Sequence, residues 1–215
     1  MTHDVSLIAL SGSTRAGSHN RMLLKIAAAA AERAGAQVSF VELRDLALPL
    51  YDADLEAEHG LPPAVVTFKA ACVAADGYLI AGPEYNGSLS AVLKNAIDWL
   101  SRPGPQPGET PFTLAAFRGK VAGVMSASPG AWGGVRSLMH LREIISGMGV
   151  LVAAEQFALP AAHAAFTEDG QLQNEVYRAL VEAIGTRAVQ LARALKTPVS
   201  PPLGGVQPKA GRGAD

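Results

Sequence analysis

LSGSTRAGSHN, at residues 10–20, is the stretch that decides the expected fold of this chain. It contains four hydroxyl side chains, two glycines, one arginine and a closing asparagine. A short apolar run at residues 5–10 precedes it, and a segment rich in Leu, Ala, Lys and Glu, which are good helix formers, follows at residues 22–34. The stretch therefore predicts a loop that connects a strand to a helix.

This strand-to-helix loop is suited to bind an anion. A helix N-terminus leaves backbone N–H groups without partners and carries a partial positive charge. Ser13, Thr14, Ser18 and Arg15 would add hydroxyl and guanidinium donors at the same place. Together these groups indicate a phosphate or another anion as the ligand.

Two common phosphate-binding motifs do not match the loop. Gly12 and Gly17 have the spacing of the nucleoside-triphosphate loop, but Ser18 and His19 stand where that loop needs Lys and Ser or Thr. The dinucleotide fingerprint G-x-G-x-x-G fails because the second residue after Gly12 is not a glycine. Hydroxyls in place of glycines favour a single terminal phosphomonoester.

The rest of the chain alternates apolar runs with helix-forming segments. We expect strands at residues 5–10, 37–43, 78–81, 120–125 and 150–153, and helices at residues 18–34, 64–75, 90–100, 135–148 and 172–195. Such alternation predicts an α/β fold with a parallel sheet and helices on both faces.

Three segments rich in Pro and Gly interrupt or follow this pattern. Residues 44–63 and 102–110 are expected to be loops, and residues 197–215 a disordered tail. The organised part of the chain is then one domain at residues 1–196, which is an ordinary domain size.

Composition and charge exclude several classes of partner and site. The net charge of −1 gives no electrostatic basis for binding nucleic acid or an acidic membrane. The single cysteine, Cys72, excludes an intramolecular disulfide, and its apolar neighbours predict that it is buried. No His, Asp or Glu cluster has metal-ligand spacing. With no signal segment or long apolar run, we expect a cytoplasmic protein.

Two further loops share the unusual composition of the first. Residues 82–88 and 126–134 follow the third and fourth predicted strands and are rich in Gly, Pro, Ser and Asn. Loops that follow parallel strands lie at the carboxyl edge of the sheet, where ligands bind. Turn formation alone would explain either loop by itself. The three together indicate a flat or extended ligand that backbone groups contact.

Three motifs of the sequence resemble those of a known family. The motifs are Gly12-Ser13-x-Arg15-x-x-Ser18-x-Asn20, Pro83-Glu84-Tyr85-Asn86-Gly87-Ser88 with Lys94-Asn95-Ala96-Ile97-Asp98-Trp99, and Ser128-Pro129-Gly130 followed by Gly133-Gly134. They are similar to those of the NAD(P)H-dependent FMN reductases, which include quinone, chromate and azo-dye reductases. The resemblance implies a flavodoxin-like, doubly wound α/β sandwich with a five-stranded parallel sheet in the order 2-1-3-4-5.

The resemblance also implies an activity. A hydride would pass from NADPH or NADH to N5 of bound FMN, and then to a quinone, a free flavin, an azo compound or a metal oxyanion. The flavin would carry the chemistry, so no catalytic side chain is expected. The partner would be a small-molecule electron acceptor, and the protein would be a homodimer or homotetramer with the flavin near the subunit boundary.

The residues implied to bind the cofactor fall into three groups. Those at the phosphate are Ser13, Arg15, Ser18 and Asn20, and His19, in the first turn of the helix, is a further cofactor-binding residue next to them. Those that border the isoalloxazine ring on one side, mostly through backbone groups, are Pro83, Glu84, Tyr85, Asn86 and Gly87. Those on its other side are Ser126, Ser128 and Gly130. For the Glu84 side chain we expect a solvated carboxylate, while Tyr85 and Trp132 either contact the ring or pack on the surface.

Two other functions remain open from the sequence alone. A flavodoxin-type electron carrier would bind FMN without turnover of its own, but such carriers stack aromatic side chains on both ring faces and have a strongly acidic surface. An aromatic content of 6% and a net charge of −1 favour the enzyme. A nucleotide-binding Rossmann protein with Glu42 as the ribose ligand is disfavoured by the failed glycine pattern.

Overall fold

Strands and helices alternate along the part of the chain that this computed structural model describes, residues 4–104, 109–110 and 113–196. The strands are β1 (Val5–Ser11), β2 (Ala36–Glu42), β3 (Gly77–Ala81), β4 (Glu84–Tyr85), β5 (Ser88–Leu89), β6 (Val121–Ala127) and β7 (Leu151–Leu159). The α-helices are α1 (His19–Arg33), α2 (Leu43–Leu46), α3 (Ala53–His59), α4 (Pro63–Ala74), α5 (Ala91–Ser101), α6 (Val135–Gly147) and α7 (Glu175–Lys196), and a short 3-10 helix spans Ala162–Ala164.

The main sheet has five parallel strands in the order β2-β1-β3-β6-β7. Val5 pairs with Ala36 of β2, and Leu7 pairs with Gly77 of β3. Counting only the strands of this sheet, its order is 2-1-3-4-5, as predicted, which is the flavodoxin-like arrangement. The order reverses beside β1, so the loops after β1 and β3 lie on either side of a crevice at the carboxyl edge.

Alternate residues of the central strands enter two separate cores. Leu7 and Ala9 of β1 belong to the core beneath α1 and α7, while Ile8 and Leu10 belong to the core beneath α4, α5 and α6. This two-residue period follows from the pleat of a strand. Because both faces are covered, the central strands are apolar on both sides, which is why the sequence shows them as short continuous apolar runs.

Side chains at the helix starts match the sequence signals. Ser18 Oγ accepts a hydrogen bond of 3.2 Å from the N–H of Arg21 and so caps α1. Ser90 Oγ accepts one of 3.4 Å from the N–H of Leu93 and caps α5. Such caps satisfy N–H groups that the helix itself leaves unpaired.

The predicted loop at residues 44–63 is wrong as a single irregular segment, because it contains α2 and α3. Asp52 caps α3 by accepting a 2.8 Å hydrogen bond from the N–H of Asp54. No residue of α3 is buried, so the sequence carries no apolar period that would reveal a helix there.

The predicted loop at residues 82–88 is also too simple, because it contains the antiparallel pair β4 and β5. Asn86 and Gly87 connect the two strands with φ angles of 52° and 82°. Positive φ at both central residues is the type I′ turn, whose backbone twist matches that of a hairpin. The Asn-Gly pair was the sequence signal for it.

The fifth strand of the sheet is longer than predicted. The expectation was residues 150–153, and β7 runs over nine residues, from Leu151 to Leu159. It lies at the edge of the sheet and is only partly buried, so polar residues such as Glu155 and Gln156 interrupt its apolar pattern. The residue pairing of β7 with β6 shifts between Ala122 and Val124.

Cys72 is fully buried in the core beneath α4, as predicted, and burial raises the pKa of its thiol to about 12. None of the helices in the described ranges combines the length and the hydropathy that a transmembrane span requires, and no group of three or more His, Cys, Asp or Glu residues there is arranged to hold a metal ion. The predicted tail at residues 197–215 and part of the predicted loop at 102–110 lie outside the described residues. The domain boundary at residue 196 stays a prediction.

Candidate functional site

The loop between β1 and α1 is folded by its own hydroxyl groups. The N–H of Ser13 donates to Ser11 Oγ at 3.3 Å, and the N–H of Arg15 donates to Ser13 Oγ at 3.4 Å. Ser13 and Ser18 are both buried, whereas residues 15–17 are exposed. The loop therefore presents its tip to solvent above the start of α1.

Arg15 is the cation that this loop leaves available. Its guanidinium makes no hydrogen bond or ion pair with any residue that the structure describes. The backbone N–H groups of His19 and Asn20, at the first two positions of α1, likewise have no acceptor within the described chain. A guanidinium group beside helix N–H groups that have no acceptor can bind an anion.

Arg21, the other arginine near the loop, is already engaged. It donates from Nη1 to the carbonyl of Ala16 at 3.1 Å and from Nη2 to Glu42 Oε2 at 2.6 Å. Glu42 is the residue that a Rossmann protein would use to bind a ribose. Because it forms an ion pair with Arg21, its position gives that alternative no support.

His19 is the first residue of α1, and its ring stacks on Phe166 with a centroid separation of 5.9 Å and an interplanar angle of 5°. Its Nδ1 is buried without a hydrogen-bond partner among the described residues. Burial, followed by the charges of Arg15 and His163, lowers the pKa of His19 below its ordinary value. The imidazole is therefore held in its neutral form at the edge of the anion-binding loop.

Asn20 is used differently from what its motif implied. Its side chain is 4% exposed, and it donates from Nδ2 to the carbonyl of Ala127 at 2.9 Å while Oδ1 accepts from the N–H of Ala127 at 2.9 Å. The amide is therefore paired with the last residue of β6. Contact between Asn20 and a phosphate stays a prediction, for which its backbone N–H is the free group.

The hairpin formed by β4 and β5 is fixed to the start of α6. Glu84 accepts from the N–H of Arg136 at 3.0 Å and from its Nε at 2.8 Å, and Ser137 Oγ donates to the carbonyl of Pro83 at 3.2 Å. The expected solvated carboxylate is wrong, because the Glu84 side chain is largely buried in this ion pair. Burial alone would raise the pKa of Glu84, but Arg136 and backbone N–H groups of α6 lower it.

The tip of the hairpin remains accessible. Tyr85 is exposed, and Asn86 and Gly87 form the turn beside it. An open groove of about 640 Å³ lies between the hairpin, α5 and α6, with Tyr85, Lys94, His140 and Glu143 among its lining residues. Ser88 Oγ and His140 Nδ1 are 2.9 Å apart at the side of this groove.

The third predicted loop, residues 126–134, starts two residues too early, because Ser126 and Ala127 are the end of β6, and it is divided between buried and exposed residues. Ser126 is fully buried, and its hydroxyl lies against Gly134 with no hydrogen-bond partner in the described chain. Ser128 Oγ accepts from the N–H of Gly130 at 3.2 Å, and Trp132 is exposed. Thus Ser128 and Gly130 are at the accessible edge, and the Ser126 side chain is beneath it.

Backbone hydrogen bonds bring the three loops together at one edge, as predicted. Gly12 donates its N–H to the carbonyl of Ala81 at 2.8 Å, and Gly82 donates to that of Met125 at 3.1 Å. The sequence interpretation did not identify Ser90, Arg136 or Ser137 as supports of this site. Only Ser90 had a local signal, since it precedes a helix-forming segment. The contacts of Arg136 and Ser137 join residues more than 50 positions apart.

Comparison with known proteins gives a consistent result. The family model of NADPH-dependent FMN reductases matches residues 5–164. The chain is 37% identical over 184 residues to an NAD(P)H-dependent FMN reductase of Pseudomonas aeruginosa, which covers 85% of this chain and 92% of that protein. It is 38% identical over 156 residues to a quinone reductase of Escherichia coli, covering 71% and 75% respectively.

A solved structure shares the same architecture. The flavoenzyme NAD(P)H:(acceptor) oxidoreductase FerB from Paracoccus denitrificans superposes with a TM-score of 0.73 at 26% identity, covering 88% of this chain and 98% of that one. The match to the family model, over residues 5–164, includes all three loops at the carboxyl edge.

Proposed function

This chain belongs to the family of NADPH-dependent FMN reductases, and on that basis we propose that it is an FMN-dependent NAD(P)H oxidoreductase that reduces quinones. One observation carries the proposal for this molecule. Three loops meet at the carboxyl edge of the sheet, beside its switch point, and one of them presents Arg15 at the N-terminus of α1 with no partner for its guanidinium among the described residues.

The donors at this N-terminus suit the terminal phosphate of FMN. Arg15 would pair with the phosphate charge, and the backbone N–H groups of His19 and Asn20 would donate to its oxygens. Ser18 would keep the first turn of α1 in place through its cap. The buried hydroxyl of Ser13 would act mainly by shaping the loop, since it accepts the N–H of Arg15.

The other two loops suit a flat ring. The hairpin residues Pro83–Gly87 would border one side of the isoalloxazine, with their backbone fixed from α6, and residues 128–130 would border the other. The N–H groups of Ala131 and Trp132 have no acceptor within the described ranges and would be available to a ring carbonyl. Bound FMN would supply the chemistry by taking a hydride from NAD(P)H and passing reducing equivalents to the acceptor.

The acceptor would lie against the exposed ring face, between two accessible aromatic side chains. Tyr85 at the hairpin tip and Trp132 in the loop after β6 are both exposed. Aromatic surfaces favour planar apolar molecules through stacking, and this fits a quinone better than a compact anion. The assignment of Tyr85 and Trp132 to acceptor binding is part of the proposal.

We also propose that the protein is a homodimer and that the groove beside the hairpin lies at its interface. The groove is open to solvent and is lined by Glu143 and by Lys94, which forms an exposed ion pair of 2.7 Å with Asp98. In a two-fold related dimer, Lys94 of one copy would lie near Glu143 of the other and add that charge to its ion pair. Met139, on α6 next to the groove residue His140, is exposed and apolar. Such an interface would place the Tyr85 tip near the subunit boundary.

The proposed function is tested by reconstitution and turnover. The purified protein is freed of cofactor, titrated with FMN, and then given NADPH or NADH with benzoquinone under anaerobic conditions. We expect stoichiometric FMN binding and quinone-dependent oxidation of the nicotinamide. Failure to bind FMN would contradict the proposal and the electron-carrier alternative together. FMN binding without nicotinamide oxidation would leave only the carrier.

A further inference from the structure

The amide of Asn20 joins two parts of the site that are 107 positions apart in sequence. Both of its polar atoms are used by a single residue, Ala127, at 2.9 Å each, and the side chain is buried. The pairing copies the way in which a neighbouring strand would bind the backbone of Ala127. It ties the first turn of α1 to the end of β6, directly before the loop that contains Ser128.

A second buried bridge holds the same loop from the other side. Ser90 Oγ donates to the carbonyl of Gly12 at 2.6 Å and also accepts from the N–H of Leu93. Ser90 follows the hairpin directly and caps α5. The loop at residues 11–20 is therefore linked by side chains to both neighbours, to β6 through Asn20 and to the hairpin through Ser90.

Resting on the proposed function, we propose that Asn20 is a positioning residue, whose side chain sets the spacing between the phosphate end and the ring end of the flavin site. Its amide holds residues 127–130 against α1 and does not bind the phosphate itself. The buried amide is already paired with both backbone groups of Ala127. A turn toward the phosphate would leave those two groups buried and unpaired, which is costly.

A positioning role and a phosphate-binding role of Asn20 predict different effects on two ligands, FMN and riboflavin. Riboflavin has the isoalloxazine ring of FMN and lacks the phosphate. A residue that binds the phosphate contributes to the affinity for FMN alone, whereas a residue that positions the ring loop contributes to the affinity for both ligands. Arg15, whose guanidinium has no partner among the described residues, provides the matched phosphate-binding variant.

The test measures FMN and riboflavin binding to cofactor-free protein by quenching of flavin fluorescence. We expect Asn20→Ala to weaken both ligands by a similar factor, about tenfold or more, and Arg15→Ala to weaken FMN alone. Weakening of FMN with riboflavin unchanged in Asn20→Ala would overturn the proposal, as would no change in either ligand. Far-ultraviolet circular dichroism checks that each variant is folded.

Asn20→Asp serves if Asn20→Ala does not fold. It keeps the side-chain volume and the acceptor for the N–H of Ala127, but it loses the donor to the carbonyl. Because its negative charge would also repel a phosphate, this variant is assessed with riboflavin only. We expect weaker riboflavin binding, and unchanged riboflavin binding would contradict the positioning role.

A readout without any flavin separates this proposal from the proposed function. Hydrogen exchange of the peptide that covers residues 126–134 is measured in the cofactor-free protein. We expect Asn20→Ala to increase exchange in this peptide and Arg15→Ala to leave it unchanged. If the wild-type protein binds neither flavin, the proposed function fails. Unchanged exchange in Asn20→Ala would overturn the positioning role of Asn20 whatever the flavin results are.

Discussion

Arg15 is the charged residue of the loop after β1, and its guanidinium has no ion-pair partner within the described chain. Its removal should therefore weaken FMN binding selectively. Loss of a charged hydrogen bond costs about 1.5–3 kcal/mol. We therefore expect Arg15→Ala to weaken FMN binding by about 10- to 150-fold. Isothermal titration gives the two dissociation constants.

The control for this prediction is Arg33→Ala at the opposite end of α1. Arg33 is exposed and forms an ion pair of 3.0 Å with Glu182. The variant also removes an arginine charge, but at the end of α1 that is far from the loop, and it should leave FMN affinity unchanged. Equal affinities of the wild type and Arg15→Ala would remove Arg15 from the phosphate site.

His19 gives a second residue-scale prediction, for the stability of the cofactor-free protein. Burial, with the charges of Arg15 and His163, places its folded-state pKa below the ordinary value of 6.5. At a pH between the pKa of His19 in the folded protein and its pKa of 6.5 in the unfolded chain, the unfolded chain binds more protons. The contribution of His19 to the free energy of unfolding is therefore complete above pH 6.5 and decreases as the pH falls toward the folded-state pKa.

Replacing His19 removes this contribution. When the pH is lowered from about 7.5 to about 5.5, we expect the free energy of unfolding to decrease less for His19→Gln than for the wild type. Urea denaturation at the two pH values measures both differences. A decrease as large as that of the wild type would show that another group is responsible.

At the scale of elements, the close packing of α1 on α7 depends on Gly185. A Cβ at this position would overlap the carbonyl oxygen of Ala27 in α1. Alanine in a helix interior is normally more favourable than glycine by about 1 kcal/mol, but overpacking against a rigid backbone costs about 1–3 kcal/mol or more. Since the backbone of α1 cannot move without disturbing the core, we expect Gly185→Ala to destabilise the protein by about 2 kcal/mol.

Gly147 supplies the matched control in the last turn of α6. Nothing lies within 4 Å of a Cβ built there, and its φ angle is not positive. Gly147→Ala should therefore be neutral or stabilising by up to about 1 kcal/mol. Thermal and urea unfolding measure the change in the free energy of unfolding that each substitution causes. Stabilisation by Gly185→Ala would mean that the helices separate at little cost.

The elements also show what the sequence could predict. The five strands and the three loops were predicted because buried parallel strands are apolar runs between helical patterns and because glycine-rich loops mark the carboxyl edge. The order of the strands was implied by the family resemblance. The helix α3 was missed, since it buries no residue and has no apolar period. The hairpin of β4 and β5 was missed although its Asn86-Gly87 turn was visible, because its strands have only two residues each.

Within the site, the sequence predicted which loops come together, but not which side chains face a ligand. The pairing of Asn20 with Ala127 and that of Glu84 with Arg136 join distant parts of the chain. A motif indicates that such a residue matters, and only the packed structure indicates what it contacts. The same applies to Ser126, whose hydroxyl lies under Gly134.

At the scale of the whole molecule, the proposed dimer interface predicts the effect of a charge on α6. Met139 is 63% exposed beside the groove. If a second copy covers it, Met139→Glu would bury an unpaired carboxylate, which strongly disfavours association. We expect a dimer for the wild type and a monomer for this variant by size-exclusion chromatography with light scattering.

Val176→Glu is the control for association. Val176 is 67% exposed, on α7, which packs on the other face of the sheet. Its substitution introduces the same charge at a position of similar exposure and should leave the dimer intact. A monomeric wild type, or a dimer that survives Met139→Glu, would contradict the proposed interface.

The burial of Cys72 has a consequence for an enzyme that handles quinones. Quinones are Michael acceptors, and the species that they alkylate is the thiolate. With its pKa raised to about 12, the only sulfhydryl of the chain is a thiolate in about one molecule in 10⁵ at neutral pH, and the sulfur is inaccessible. Mass spectrometry after incubation with benzoquinone should find Cys72 unmodified in the native protein and alkylated in urea. The fold thus gives the protein immunity to covalent inactivation, through its cysteine, by the electrophiles that it is proposed to reduce.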